Sequence, residues 1–266
     1  MPPRSNSAFA ALTAVILALT GCGEAPGVPT DAAATNAPAT DRPKLGLMTS
    51  LPLYWPEGAD MTALATGEVE PPWQRRAIET QFALVPLDTL SPIPALSPGA
   101  PEVDPLAGLD RLAVIQPRGL SPADNVALDN WVRAGGRLLL VLDPVLTGEY
   151  EAALGDPRRP VDTALIPPVV KRWGLDVGFA IHETEEGYRK TIRLPGGEEM
   201  PLAYPGMIEI ADQAAGRCAS PHSVIATCRV GKGQVTLMAD AALFEHPDLA
   251  GEGGVRLITL VSAAFE

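Results

Sequence analysis

The sequence is short of positive charge. Twenty Lys and Arg stand against 32 Asp and Glu in 266 residues, a formal net charge of −12. No basic stripe emerges, so neither a nucleic acid nor an anionic lipid surface is an expected partner. Beyond the N-terminal region, no apolar run is long enough to span a bilayer as a helix. Cysteine is scarce: Cys22, Cys218 and Cys228 only, none of them in a Gly-x-Cys-x-Gly turn. A Gly-x-Ser-x-Gly turn is missing as well. The sharp strand-to-helix turns that present a nucleophile in α/β enzymes therefore have no support in the sequence. No cofactor motif is present, and no cofactor is expected.

What is present is organised around residues 109–144, LDRLAVIQPRGLSPADNVALDNWVRAGGRLLLVLDP. Residues 112–115 are an apolar run of strand length. Ser121 is a good N-cap, with Pro122 at the first helical position and Asp124 three residues after the cap. Ala127, Leu128, Trp131 and Val132 fall on one helical face, and Asn125, Asp129, Asn130 and Arg133 on the other. Trp131 is expected to be buried between helix and sheet. Gly135-Gly136 ends the helix, because glycine takes the left-handed conformation cheaply. Residues 138–142 are then apolar throughout, as in a strand buried on both faces of a parallel sheet. A doubly wound α/β domain follows. Such sheets bind ligands beyond the carboxyl ends of their strands, which makes Thr49, Ser50, Arg118, Asp143 and Asp240 the candidate ligand-binding residues. The competing role for the two aspartates is to cap nearby backbone N–H groups.

Residues 1–21 read as a signal peptide. Arg4 is followed by a short apolar segment, 8–20, that ends in Leu19-Thr20-Gly21-Cys22. That tetrapeptide resembles the bacterial lipobox, whose cysteine is lipidated and becomes the new N-terminus, so Cys22 is the expected lipidation site. Residue 23 is Gly rather than the Asp of the inner-membrane retention signal. The expected location is the cell envelope, at the outer membrane facing the periplasm, with the lipid as membrane anchor. Residues 22–43 are rich in Ala, Pro, Thr and Gly and lack apolar periodicity. They read as a flexible tether of about 25 Å, leaving 44–266 as the folded domain.

Along that domain, strands are expected at 45–48, 82–85 and 175–179, and helices at 73–81, 163–173 and within 251–265. Residues 91–104 carry several prolines and read as a surface excursion. Hairpins are expected at 188–204, around Pro195-Gly196-Gly197, and at 223–238, around Gly231-Lys232-Gly233. Cys218 and Cys228 lie ten positions apart around an expected turn at 219–222, in a compartment that favours oxidation. A disulfide is the favoured pairing. Free thiols, or a metal pair with His222, are the alternatives, and zinc usually takes four ligands. No metal is expected. His182 with Glu183, Glu185 and Glu186 reads as a solvated acidic loop.

Two segments, 116–144 and GKGQVTLMADAALF at 231–244, resemble auxiliary proteins of gliding-motility-type ABC transport systems. The shared pattern is a Pro-containing loop, Leu-Ser, a helix closing on Val-x-x-Gly-Gly, a strand ending in Asp-Pro, and a later strand ending in Asp240. The resemblance implies a flavodoxin-like or class I glutamine amidotransferase-like sandwich with a mostly parallel sheet and added β-hairpins. It further implies a non-enzymatic accessory or binding component of an ABC-type envelope transport system, with transporter subunits as partners. Members usually carry transmembrane helices, where this chain has a lipobox. The second reading is a periplasmic hydrolase acting on an envelope glycan or ester, with Asp143, Asp240 or His246 as acid/base groups.

Overall fold

The structure, a computed structural model, describes residues 42–95, 97, 99–180, 189–194, 197–214 and 216–266. The signal segment, most of the tether, Cys22, the acidic stretch His182 to Glu186, and the Pro195-Gly196 turn lie outside the described residues. No helix among the described residues is long and apolar enough to cross a membrane.

The domain is mixed α/β. Its centre is a seven-stranded, mostly parallel sheet. The strands are β1 (Lys44–Thr49), β2 (Ala83–Pro86), β3 (Arg111–Ile115), β4 (Arg137–Val141), β9 (Cys218–His222), β10 (Ile225–Val230) and β11 (Gly233–Met238). They stand in the order β2-β1-β3-β4-β11-β10-β9. The first five are parallel, and β10 runs antiparallel to both β11 and β9. Leu138 to Val141 are fully buried, as are Val235, Leu237 and Met238 beside them. These central strands have helices over both faces, which is why their sequences are apolar without alternation. Two small antiparallel sheets flank the centre. One pairs β5 (Leu175–Gly178) with β8 (Met207–Ile210), and the other pairs β6 (Arg189–Arg193) with β7 (Glu199–Ala203).

The helices are α1 (Met61–Thr66), α2 (Trp73–Ile78), α3 (Pro122–Ala134), α4 (Pro168–Trp173), α5 (Ala242–Glu245), α6 (Pro247–Ala250) and α7 (Val255–Ala263). Crossovers step to opposite sides of β1, and right-handed connections therefore place α2 and α3 on opposite faces. The α2 helix packs with α7, and α3 with α4. At the start of α3, Ser121 accepts from the Asp124 N–H at 3.0 Å, while Asp124 accepts from the Ser121 N–H at 3.1 Å. This reciprocal box satisfies two donors that a helix start leaves free. Asp124 also gathers the N–H groups of Leu90 and Ser91 and the Thr89 hydroxyl, which fixes the chain after β2 onto α3.

Three expectations need correction, and further elements were not expected. The buried face of α3 is turned: Asp129 is buried and Trp131 only half-buried. The cause is α4, whose Trp173 donates its indole N–H to Asp129 Oδ1 at 2.9 Å. Trp131 instead bonds the Leu109 carbonyl and lies against Gly136, where a β-carbon would meet its ring at 2.4 Å. The helix expected over 163–173 starts only at Pro168, because a residue before proline is kept out of the helical region. Residues 218–222 are a strand rather than a turn, and the chain reverses at Ser223 and Val224. Pro221 is tolerated there because β9 is an edge strand and needs no complete ladder. Finally, α1 and β8 were not anticipated.

Cys218 and Cys228 oppose each other across β9 and β10 and are joined by a disulfide, with α-carbons 4.1 Å apart. His222 bonds the Arg193 carbonyl at 2.8 Å.

Candidate functional site

The carboxyl ends of β1, β3, β4 and β11 lie side by side, and each is followed within two residues by a polar one. Ser50 leaves β1. Its hydroxyl donates to the Gln116 carbonyl at 2.6 Å and accepts from the Val161 N–H at 3.2 Å. Thr49 Oγ1 accepts from the Leu51 N–H at 3.0 Å, which tightens the turn out of the strand.

Gln116 leaves β3. It is fully buried and has φ of 43°, a left-handed conformation uncommon for a side chain of its size. The position before Pro117 already disfavours the right-handed helical region. Its amide donates to the carbonyls of Asp143 at 3.0 Å and Val161 at 2.8 Å, and accepts from the Asp143 N–H at 2.8 Å. Gln116 thus ties β3 to the end of β4 and to the loop that follows. The sequence marks Gln116-Pro117-Arg118 as a strand-end loop where such folds bind ligands, but gives Gln116 itself no role. The available signal was a polar residue closing an apolar strand directly before a proline.

Asp143 and Asp240 leave β4 and β11, and both are fully buried. Asp143 Oδ2 accepts from the Ala241 N–H at 2.7 Å and Oδ1 from the Val145 N–H at 2.8 Å. Asp240 Oδ2 accepts from the Ala203 N–H at 2.8 Å and Oδ1 from the Ala242 N–H at 2.9 Å. Each carboxylate therefore spends both oxygens on backbone. Asp143 joins β4 to the segment after β11, and Asp240 joins that segment to β7. Burial pushes the Asp143 carboxyl up to about 8, with the nearby Asp240 charge adding to the effect. Burial pushes Asp240 up to about 7, against the pull of its two N–H donors.

A carboxyl that holds its proton more tightly in the folded chain stabilises the fold at acidic pH. That contribution is lost as pH rises from the unfolded value near 3.8 through about 7 to 8. Asp124 and Asp129 act in the opposite sense. Hydrogen bonds outweigh burial and lower both, so their contribution is lost only on acidification below the ordinary carboxylate range. The melting temperature is therefore expected to be higher at mildly acidic than at mildly alkaline pH. Asp143→Asn should cost about 1–3 kcal/mol by setting an amide NH2 against a backbone N–H, and should flatten the alkaline decline. A variant with wild-type stability and an unchanged pH profile would show that the Asp143 carboxylate is not holding these strands.

Arg118 stands apart from the row. It is exposed and donates to the Arg159 carbonyl at 2.9 Å. Beside Asp143 lies a second polar group. Glu245 accepts from the N–H groups of Thr147 and Gly148 and, at 2.5 Å, from the Tyr150 hydroxyl. His246 Nε2 meets the Thr147 hydroxyl at 2.8 Å. Burial, followed by the Glu245 charge, pushes the Tyr150 phenol well above its ordinary value. These contacts hold the 145–162 loop onto α5. Among the described residues, no group of three or more His, Cys, Asp or Glu is arranged to hold a metal.

The fold and its strand-end residues define a mixed α/β domain whose strand-end carboxylates and amide knit loops together. No family model matches the chain, and no curated protein matches it. Similar solved structures include the exo-β-1,4-mannosidase Op5Man5 from Opitutaceae bacterium strain TAV5, at 14% identity and a TM-score of 0.44, covering 85% of this chain and 35% of that one. A β-galactosidase from Rahnella sp. R3 matches at 12% identity and a TM-score of 0.43, covering 85% and 32%. A β-galactosidase from Bacillus circulans sp. alkalophilus matches at 11% identity and a TM-score of 0.44, covering 84% and 30%. The chain spans about a third of the length of these enzymes. At such TM-scores, neither fold nor activity is carried across.

Proposed function

We propose that this chain is a lipid-anchored, non-catalytic binding or accessory component of an ABC-type transport system of the cell envelope. Its sandwich is of the flavodoxin-like or class I glutamine amidotransferase-like type. The parallel strands, counted along the chain, stand in the order 2-1-3-4-5, which is the flavodoxin-like order. The observation that carries the functional reading is Gln116. Enzymes of this architecture set a nucleophile on a strained residue at a strand-to-helix turn. Here the strained residue after β3 is a buried amide committed to Asp143 and Val161. Asp143 and Asp240 are likewise committed to backbone, and His246 to Thr147, which weighs against the hydrolase reading. The Leu19-Thr20-Gly21-Cys22 motif supports the anchor, and the resemblance of 116–144 and 231–244 supports the transport context.

The test is expression of the full chain and of Cys22→Ser in a bacterial host with labelled palmitate, followed by fractionation. The wild type is expected to take up label and to sediment with membranes. Cys22→Ser is expected to be unlabelled, and either unprocessed or soluble. A variant that stays membrane-bound after a salt wash would refute lipid anchoring. Co-purification of the wild type with an ATPase and a permease subunit is the expected partner result. Release of reducing ends from envelope glycans, or ester cleavage, abolished by Asp240→Asn, would replace this reading with the hydrolase.

A further inference from the structure

The chain leaving β1 folds into a cleft of about 330 Å3 between residues 50–64 and residues 158–160. The cleft sits where the strand order reverses between β1 and β3, the place at which open α/β sheets bind ligands. Ser50, in its wall, is bonded to Gln116 at the end of β3. Its most prominent side chain is Trp55, 48% exposed. A lone exposed aromatic needs no explanation, but this one is braced. Tyr54 meets it edge-on at 4.8 Å and 88°. The Arg75 guanidinium lies 4.0 Å from the Tyr54 ring and 5.2 Å from the Trp55 ring, and is itself fixed by Glu79 at 2.8 Å. A large apolar face is thereby held in one orientation at the edge of a concavity. Pro52, Pro56 and Pro160 restrict the surrounding backbone. A ligand entering such a preformed cleft loses little to ordering the protein.

The polar lining is as specific as the ring. Glu57 Oε1 accepts from the Ala152 N–H at 2.8 Å, and Oε2 has no partner among the described residues. Arg158 meets Asp156 through Nε at 3.1 Å and Nη2 at 2.7 Å, and Nη1 has no partner among the described residues. The cleft thus presents one acceptor, one donor and an aromatic face, with the guanidinium charge balanced by Asp156. A phosphate or other anion would meet the Glu57 carboxylate and an Arg158 already paired with Asp156, and a cation would meet Arg158. A neutral polyhydroxylated ring satisfies all three elements, because its C–H face stacks on an indole while its hydroxyls both donate and accept. The volume is at the small end of ligand pockets, suited to one or two sugar rings.

We infer that this cleft binds a neutral mono- or disaccharide stacked on Trp55 and hydrogen-bonded by Glu57 and Arg158. The inference rests on reading the chain as a binding module. The test is calorimetric titration of the full-length protein in detergent with maltose, cellobiose and chitobiose, and with glucuronate as an anionic control. At least one neutral disaccharide is expected to bind with a Kd tighter than about 1 mM. Trp55→Ala and Arg158→Ala are each expected to weaken it about tenfold or more, and Trp55→Phe to retain most of it. Arg158 has a side chain 76% exposed and pairs only locally, so its variant carries the test even if Trp55→Ala is less stable. Three results would overturn the assignment: no neutral sugar binding at millimolar concentration, binding that survives both alanine variants, or tighter binding of glucuronate. Hydrolysis of the sugar during titration would support the cleft while overturning the non-catalytic reading. Co-purification with transporter subunits in the absence of sugar binding would overturn the cleft alone.

Discussion

Gly233→Ala is expected to lower the unfolding free energy by at least about 3 kcal/mol, at the upper end of what overpacking costs. A β-carbon at Gly233 would stand 2.1 Å from the Val132 carbonyl oxygen and 2.3 Å from that of Gly136. Both are main-chain atoms where α3 turns into β4, so no flexible side-chain end can yield. The Gly136 carbonyl also accepts from the Gln234 N–H at 3.2 Å, so displacing it loosens the entry of β11 between β4 and β10. The damage falls on the centre of the sheet. Gly178→Ala is the control: nothing lies within 4 Å of its β-carbon position and its φ is ordinary. Its effect should fall within about 0.5 kcal/mol. Urea unfolding of the two variants decides the matter, and equal midpoints would mean that β11 does not approach α3 this closely.

Trp173→Ala carries the other large effect, about 3–5 kcal/mol, as expected for removing a large buried side chain. Trp173 is 1% exposed at the end of α4, and its indole N–H reaches Asp129 in α3. Asp129 also receives Arg133 at 2.9 Å and Arg172 at 3.2 Å. Truncation leaves both a cavity and a buried carboxylate short of a donor. Trp173→Phe separates the two effects, keeping most of the volume and losing the donor, at about 1–2 kcal/mol. Without that donor the Asp129 carboxyl holds its proton more readily. The part of the acid-side stability loss that Asp129 contributes should therefore shrink in Trp173→Phe. An unchanged acid profile would show that the indole does not tune this carboxylate.

Much of the fold was legible because its signals are local. The β3–α3–β4 unit announces itself through Ser121 and Asp124, through Gly135-Gly136, and through strands with no polar face. The same kind of signal stands at α1, which spans only six residues. Asp60 accepts from the N–H groups of Thr62 and Ala63, and Gly67 closes the helix in the left-handed conformation. What was not legible depends on partners distant in sequence. Asp129 looks solvent-facing until Trp173 arrives 44 residues later. Ser220-Pro221-His222 carries turn chemistry, yet pairing with β10 at the sheet edge makes it a strand. At the strand ends, Asp143 and Asp240 could be placed because aspartates closing apolar strands have few other roles. Gln116 could not, since its amide is satisfied by Val161, 45 residues away, in a loop without a sequence signature.

That loop follows β4 and carries no regular structure until α4, yet amides at its two ends are tied to distant groups. The Val161 N–H goes to Ser50, those of Thr147 and Gly148 to Glu245, that of Leu146 to the Asp162 carbonyl, and that of Ala164 to the Asp143 carbonyl. These five amide hydrogens should therefore exchange with solvent more slowly than those of the largely exposed stretch 149–155 between them. Protection does not require a helix or a sheet, only that each N–H be released by the same cooperative opening. Exchange mass spectrometry across residues 145–164 would read this directly, and rapid labelling at 146–148, 161 and 164 would show that the segment opens by itself. If protection holds, the two ends of the loop unfold with the sheet as a single unit, and proteolysis is confined to the exposed stretch around Leu154, 82% exposed.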